Sequence, residues 1–183
     1  MNITVYCSSS SDLDEKYIEL ATRLGQWMGH HRHTLVHGGV NAGLMHITAA
    51  AVHDAGGKVI GVVPEVFAHR ADPLNDELLL STDLSDRKGR MMSLADAFVV
   101  LPGGLGTLDE WISTLSQLQV TPGDDRGIIV ANLDNMYDGM LQQLHSTQHS
   151  AMGRGKRMDR CVVVSDAAQL IQALEQIEAK RNN

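Results

Sequence analysis

The segment PGGLGTLDE at residues 102–110 is the part of the chain best suited to do chemistry. It follows the apolar run AFVVL at 97–101, which is typical of a buried strand, and precedes WISTLSQL at 111–118, whose apolar spacing is helical. Glycines between a strand and a helix let backbone N–H groups approach a phosphate, and the first N–H groups of the helix point at it. The segment therefore predicts an anion site, to which Thr107 adds a hydroxyl.

Glu110 is predicted to lie in the first turn of the helix that follows this segment. A carboxylate near a helix N-terminus interacts favourably with the helix dipole, whatever else it does. The same carboxylate beside a bound phosphate ligand can also act as a catalytic acid or base. The pattern alone leaves both interpretations open.

Strand and helix patterns alternate along the whole chain. Near-continuous runs of Val, Ile and Leu separated by helices are typical of a parallel sheet covered on both faces. The sequence therefore predicts an α/β fold, a doubly wound parallel sheet in one domain over residues 1–183. Strands are expected at 2–7, 35–37, 58–63, 78–81, 97–101, 127–132 and 161–164. A helix with Ser11 or Asp12 as its N-cap is expected to run to about residue 30. Further helices are expected at 44–55, 84–95, 108–120, 137–149 and 167–180, and a loop or short helix at the rim of the site is expected at 65–77.

Three polar or glycine-rich turns each follow a predicted strand: residues 8–11, 38–43 and 102–107. Ligands of such sheets bind outside the carboxyl ends of the strands, near a switch in strand order. We therefore expect the three turns to share one cleft, with Ser8, Gly39, Asn41 and Gly43 as binding candidates from the first two. The turn at 38–43 has a second interpretation, as a structural turn without ligand contact.

Composition excludes several classes of function. The 183 residues carry a net charge of −7 and are 43% hydrophobic, which argues against nucleic-acid or membrane-surface partners. No apolar run approaches the ~20 residues needed to cross a bilayer. The chain opens directly on a strand pattern without a basic leader, so a cytoplasmic location is expected.

Neither the cysteines nor the clustered histidines predict a metal or redox site. Cys7 and Cys161 fall at strand positions and are expected to be two buried, reduced thiols. His30, His31 and His33 fall where a helix ends, and a solvated helix C-terminus is preferred to a metal site there. No metal and no organic cofactor is expected.

Three segments together resemble one family. They are GGVNAGLM at 38–45, the pair Arg87-Lys88 with Met91 four residues after the arginine, and PGGLGTLDE at 102–110. The chain resembles the LOG (LONELY GUY) family of phosphoribohydrolases, long labelled "lysine decarboxylase-like", over nearly its whole length. The resemblance implies a Rossmann-like fold and a homodimer. It also implies hydrolysis of the N-glycosidic bond of an adenosine-type 5′-monophosphate, N6-prenylated (cytokinin) nucleotides included, to free base and ribose 5-phosphate.

The resemblance also implies roles for individual residues. Arg87 and Glu110 correspond to the family's catalytic pair. Such a cleavage passes through an oxocarbenium-like sugar, so Glu110 would orient water and stabilise positive charge, and Arg87 would anchor the substrate or assist the departing base. The positions expected to contact the nucleotide are Lys88, Met91, Gly103, Gly104, Leu105, Gly106, Thr107, Leu108, Asp109 and Ser116.

Simpler interpretations stand beside these roles. Arg87 and Lys88 could form a solvated helix face, Met91 could be core filler, and Asp109 is expected to face solvent. Val40 and His46 stand where the family usually has glycines, which leaves the preferred base open.

Two other functions compete with hydrolysis. One is a nucleotide-binding sensor without turnover. The other, a dinucleotide-dependent oxidoreductase, is disfavoured because no Gly-x-Gly-x-x-Gly follows the first strand.

Overall fold

The computed structural model describes residues 1–148 and 160–181. The strands are β1 Asn2–Tyr6, β2 Thr34–His37, β3 Lys58–Pro64, β4 Glu77–Ser81, β5 Ala97–Val100, β6 Ile128–Ala131 and β7 Cys161–Val164. The α-helices are α1 Glu15–His30, α2 Gly43–Asp54, α3 Leu84–Leu94, α4 Leu105–Val120, α5 Asp138–Gln148 and α6 Ala167–Arg181. Short 3-10 helices cover Glu65–Arg70 and Leu133–Asn135.

All seven strands are parallel and lie in one sheet, in the order β4-β3-β2-β1-β5-β6-β7. The chain builds outward from β1 to β4 on one side, then returns and builds outward from β5 to β7 on the other. The strand order therefore switches between β1 and β5, and the crevice outside their carboxyl ends is where ligands bind in such sheets. The predicted Rossmann-like, doubly wound α/β fold is confirmed.

Both faces of the sheet are covered by helices, which explains the near-continuous apolar strands. Side chains of successive strand residues point to opposite faces, so Val99 joins the core beneath α1, α2 and α6. Its neighbours Phe98 and Val100 join the core beneath α3, α4 and α5. Among the described residues, no helix has the length and apolar character needed to span a membrane.

Helix α1 begins at Glu15 with Asp14 as its N-cap, whereas the sequence favours Ser11 or Asp12 in that position. Side chains in the preceding serine turn explain the difference. The Ser8 hydroxyl accepts the backbone N–H of Ser10, and the Ser10 hydroxyl accepts that of Asp12. Such local bonds compete with helix formation and hold the segment in a turn.

Helix α4 begins at Leu105, three residues before the predicted start. Glycines at 104 and 106 have low helix propensity and concealed the early start, although Gly104 is well suited to its observed N-cap position. Glu110 therefore lies in the second turn of the helix and not the first. The influence of the helix dipole falls off within the first turn, so the dipole does not account for this carboxylate.

Two other expectations need correction. His33 is only 2% exposed, and its ring packs 4.9 Å from that of Trp27, whereas His30 and His31 are exposed as expected. Arg32 has a positive φ of 56° and folds the chain back onto the helix, which explains the burial. Cys161 is half-buried rather than buried. Position 149, the expected end of the fifth helix, lies outside the described residues, and the remaining boundaries differ by at most one residue.

Candidate active site

Arg87 and Glu110 form a buried ion pair at the carboxyl edge of the sheet. The Arg87 Nη1 donates to Glu110 Oε1 at 2.7 Å, and the Arg87 Nε donates to the backbone carbonyl of Val62 at 3.0 Å. The two residues are 9% and 5% exposed. Arg87 is therefore not part of a solvated helix face, and its guanidinium is held in a fixed direction by two acceptors.

The elements around the pair explain its position. Asp83 caps α3, because its side chain accepts the backbone N–H groups of Ser85 and Asp86, and this start presents Arg87 to the carboxyl end of β3. Gly38 leaves the space that the guanidinium fills, since a Cβ added at Gly38 would overlap Arg87 Nη2. A glycine of the turn after β2 is thus required by an arginine of α3.

Burial sets the electrostatics of the pair. Removal from water raises the pKa of the Glu110 carboxyl, and the Arg87 guanidinium acts in the opposite direction. The neighbouring Cys7 thiol is completely buried, which raises its pKa far above the usual range. This shift favours the protonated thiol, which is the less reactive form of cysteine.

A cavity of about 370 Å³ opens onto the pair. The cavity is lined by the turn after β1, the start of α2, Arg87 of α3 and the first two turns of α4. Its lining residues are Cys7, Ser8, Ser9, Ser10, Met45, Arg87, Gly104, Leu105, Gly106, Thr107 and Glu110. One cavity thus holds a buried ion pair, several hydroxyls and the N-terminus of a helix.

The start of α4 has the features of an anion site. Gly104 is the N-cap, so the N–H groups that follow it are not consumed by the helix itself. The Ser8 N–H donates to the Pro102 carbonyl at 3.1 Å, which joins the serine turn to the glycine loop. Gly103 must be a glycine here, because a Cβ would overlap the Thr107 side chain.

Some of the expected binding residues lie away from the cavity. Lys88 and Asp109 form an ion pair of 2.7 Å, and the Asp109 side chain is 52% exposed, as expected. Met91 is completely buried in the core beneath α3 and α4, in agreement with its simpler interpretation. Ser116 is exposed farther along α4, and Leu108 packs against the same core.

The turn at 38–43 contributes through its backbone. Gly39 and Gly43 have positive φ values of 70° and 54°, a conformation that favours glycine. A Cβ at Gly43 would come within 2.5 Å of the Ser10 carbonyl oxygen, so Gly43 permits the close approach of the serine turn. Asn41 is exposed, and its N–H donates to the Arg70 carbonyl. None of these three residues lines the cavity.

Sequence reasoning did not select Cys7, Ser9, Ser10 or Met45 as site residues, although they line the cavity. Ser9 and Ser10 belong to the same polar turn as Ser8, and that position was the signal that could have identified them. Met45 is the last residue of the motif GGVNAGLM, which could have identified it in the same way. Among residues 1–148 and 160–181, no three His, Cys, Asp or Glu side chains are grouped so as to hold a metal ion.

Substituting Gly38 with alanine should disable the site while leaving the fold largely intact. The added methyl would displace the Arg87 guanidinium, and a displacement of about 1 Å costs on the order of a hundredfold in rate. Steady-state kinetics of Gly38→Ala should show this loss. Gly89→Ala in α3 is the matched control, since a Cβ there meets nothing within 4 Å. Equal activity of the two variants would contradict the role of Gly38.

Comparison with known proteins assigns the family. A family described as "Possible lysine decarboxylase" matches residues 45–174. Cytokinin riboside 5′-monophosphate phosphoribohydrolase LOG7 of Arabidopsis thaliana is 34% identical over 181 residues, which cover 96% of this chain and 82% of that protein. The chain belongs to the LOG family. The cytokinin riboside 5′-monophosphate phosphoribohydrolase of Mycobacterium tuberculosis is 32% identical over 173 residues. The aligned part covers 93% of this chain and 91% of the mycobacterial protein.

Solved structures agree with the LOG family fold. The molybdenum cofactor carrier protein of Chlamydomonas reinhardtii superposes with a TM-score of 0.76 at 21% identity, over 97% of this chain and 98% of its own. The protein TM1055 gives a TM-score of 0.71 at 17% identity, over 96% and 98% of the two chains. At these identities the similarity concerns the fold alone.

Proposed function

We propose that this protein hydrolyses the N-glycosidic bond of an adenosine-type nucleoside 5′-monophosphate, either AMP or an N6-modified cytokinin nucleotide. The products are the free base and ribose 5-phosphate. The observation that carries the proposal is the buried ion pair between Arg87 of α3 and Glu110 in the second turn of α4, a helix whose first turn offers free N–H groups to an anion. LOG family relatives named as phosphoribohydrolases support this reaction type.

The distance between the free N–H groups at the start of α4 and the Glu110 side chain suits a ribose 5-phosphate unit. Leu105 and Glu110 are five residues apart on α4, which corresponds to a rise of about 8 Å. A phosphate on the free N–H groups at the start of α4 would place the sugar beside Glu110. The sugar carbon that bears the base would then face the Glu110 carboxylate inside the cavity.

The two side chains of the pair have complementary roles. The Glu110 carboxylate orients a water molecule towards the anomeric carbon and stabilises the positive charge that develops on the sugar. The Arg87 guanidinium holds this carboxylate through one hydrogen bond and favours its charged form, which opposes the rise in pKa caused by burial. Bond cleavage places the electron pair on the base, which leaves with a proton, while water supplies the hydroxyl of ribose 5-phosphate.

A base-release assay tests the proposal. The purified protein is incubated separately with AMP, N6-isopentenyl-AMP and adenosine, and free base is measured by liquid chromatography. We expect release from at least one nucleotide and none from adenosine, which lacks the phosphate. The ratio of the two nucleotide rates would give the base preference. Binding of AMP with no release from either nucleotide would favour a sensor without turnover.

The pH profile of the reaction should reflect the ionisation of the buried Glu110 carboxyl. The charged form of Glu110 is the active one, and burial raises its pKa above the ordinary glutamate value of about 4.3. Activity should therefore fall as the pH is lowered, starting at a higher pH than for an ordinary glutamate. Measuring kcat at saturating nucleotide reports on the enzyme–substrate complex. A kcat that stays constant down to the ordinary glutamate range would contradict this role.

The quaternary state and the location belong to the same proposal. We propose a cytoplasmic homodimer that has no nucleic-acid partner, in line with the family resemblance and the net charge of −7. Leu84 at the start of α3 and Leu105 at the start of α4 are 56% and 84% exposed and are interface candidates. Light scattering at micromolar concentration should give twice the chain mass, and a monomer would contradict the dimer.

A further inference from the structure

We propose that Asn75 is a positioning residue of the active site. Through the turn at residues 38–39, it keeps the Arg87 guanidinium directed at Glu110. Asn75 does not line the cavity, and it lies in the segment between the 3-10 helix Glu65–Arg70 and β4. The kinetic part of the inference rests on the proposed function, because it is measured as base release.

The Asn75 side chain joins two residues of the turn after β2. Its amide nitrogen donates to the Gly39 carbonyl at 3.0 Å, and its amide oxygen lies 2.8 Å from His37 Nε2. A backbone carbonyl can only accept, so the amide nitrogen must face Gly39 and the amide oxygen must face the histidine. The hydrogen-bond partners therefore fix the orientation of the amide.

The same bonds fix the donor role of His37 Nε2. Its Nε2 must donate to the Asn75 oxygen, so Nε2 carries a proton whether the ring is neutral or charged. The His37 Nδ1 is buried and has no hydrogen-bond partner in the described part of the chain. Complete burial also lowers the pKa of His37 to about 4. Burial thus favours a neutral ring, and the Asn75 bond holds that ring in place near the Arg87 guanidinium.

Gly38 connects this arrangement to the catalytic pair. It lies between the two residues that Asn75 holds, and its α-carbon forms the wall against which Arg87 Nη2 packs. A shift of Gly38 therefore opens or closes the space of the guanidinium directly. The sheet also makes room for Asn75, because a Cβ at Gly61 in β3 would come within 2.5 Å of the Asn75 amide.

The turn has a second anchor, which makes the inference testable in a folded protein. The backbone N–H of Asp72 donates to the same Gly39 carbonyl at 2.7 Å. Removal of the Asn75 amide leaves this bond in place, so the turn should relax by a fraction of an ångström rather than unfold. The expected consequence is a misdirected guanidinium and not a lost fold.

A double-mutant cycle between Asn75→Ala and Arg87→Lys tests the coupling. We expect Asn75→Ala to lower kcat on AMP about tenfold with KM little changed, because the phosphate site is untouched. In the Arg87→Lys background the same substitution should cost little more, since the guanidinium it positions is already gone. A loss that simply adds to that of Arg87→Lys would overturn the proposal.

Two further variants complete the test. Asp76→Ala is the matched control, because the Asp76 carboxylate accepts the Val59 N–H at 2.8 Å in the same segment and makes no bond to the turn. It should leave kcat unchanged. Asn75→Asp keeps the acceptor for His37 and loses the donor to Gly39. It replaces Asn75→Ala in the test if the alanine variant does not fold. It should lower kcat as well, and full activity would overturn the proposal.

A readout without turnover separates this inference from the proposed function. The Nε–H NMR resonance of Arg87 should shift in Asn75→Ala and stay in place in Asp76→Ala, whether or not the protein cleaves AMP. An unmoved resonance overturns the positioning role. Absence of base release from wild type, with the resonance shifted as expected, overturns the proposed reaction alone and supports the structural coupling.

Discussion

Glu110→Gln should abolish nearly all base release while nucleotide binding is retained. The glutamine has the same size and can still accept a hydrogen bond from Arg87, so the cavity should keep its shape. It has no negative charge to stabilise the oxocarbenium-like sugar. Losing one preorganised electrostatic contact of this kind costs about a thousandfold in kcat. Single-turnover kinetics with AMP or N6-isopentenyl-AMP would measure the loss, and calorimetry would measure binding.

The neighbouring carboxylate provides the matched control for this experiment. Asp109→Asn removes a negative charge from the adjacent residue of α4, but that side chain is 52% exposed and is paired with Lys88 outside the cavity. Asp109→Asn should retain most of the activity. If the two variants lost activity equally, the net charge of α4 would matter and Glu110 would have no special role.

Arg87→Ala should damage both activity and stability. It leaves the 5%-exposed Glu110 without its cationic partner, and removing one member of a buried pair destabilises proteins by about 3–5 kcal/mol. The rate should fall on the order of a hundredfold or more, because the carboxylate is no longer held in place. Chemical denaturation and base release would measure the two effects separately.

The stability loss of Arg87→Ala should depend on pH in a defined direction. Burial already raises the pKa of Glu110 in the folded state, and loss of the guanidinium raises it further. A carboxyl whose folded pKa exceeds its unfolded pKa binds more protons in the folded state between those two values. The free energy of unfolding then decreases as the pH rises through that window. The difference in free energy of unfolding between wild type and Arg87→Ala should therefore be smallest at the acidic end of that pH window.

Arg90→Ala is the matched control for the arginine. Arg90 lies on the same helix and pairs with Asp86 at 2.9 Å, but its side chain is 45% exposed. Exposed pairs contribute about 0–1 kcal/mol, so this variant should change stability and activity little. A comparable loss in Arg90→Ala would show that α3 itself, and not the buried pair, is sensitive to substitution.

The parts of the site that could be predicted from sequence are those encoded locally. The segment at 102–110 carries its own strand, glycines and helix, so its anion site follows from neighbouring residues. Arg87 and Glu110 were selected as a pair only through the family resemblance, since nothing in the spacing of residues 23 apart shows that they meet. The structure supplies the reason, which is the packing of α3 and α4 on one face of the sheet.

Helical geometry explains why other expected residues lie elsewhere. Ser116 follows Glu110 by six residues, which at about 100° per residue places it on a different side of α4. Met91 follows Arg87 by four residues and lies on the same face of α3, one turn deeper in the core. The roles of Gly38 and Asn75 depend on contacts across the sheet edge, so local patterns give no sign of them.

The most direct test of the account is a product balance for wild type and Glu110→Gln. Purified protein is incubated with AMP or N6-isopentenyl-AMP, and free base and ribose 5-phosphate are quantified together over many turnovers. We expect equal molar amounts of the two products from wild type and almost none from Glu110→Gln. Base release that persists in Glu110→Gln, or nucleotide binding by wild type without either product, would contradict hydrolysis by the Arg87–Glu110 pair.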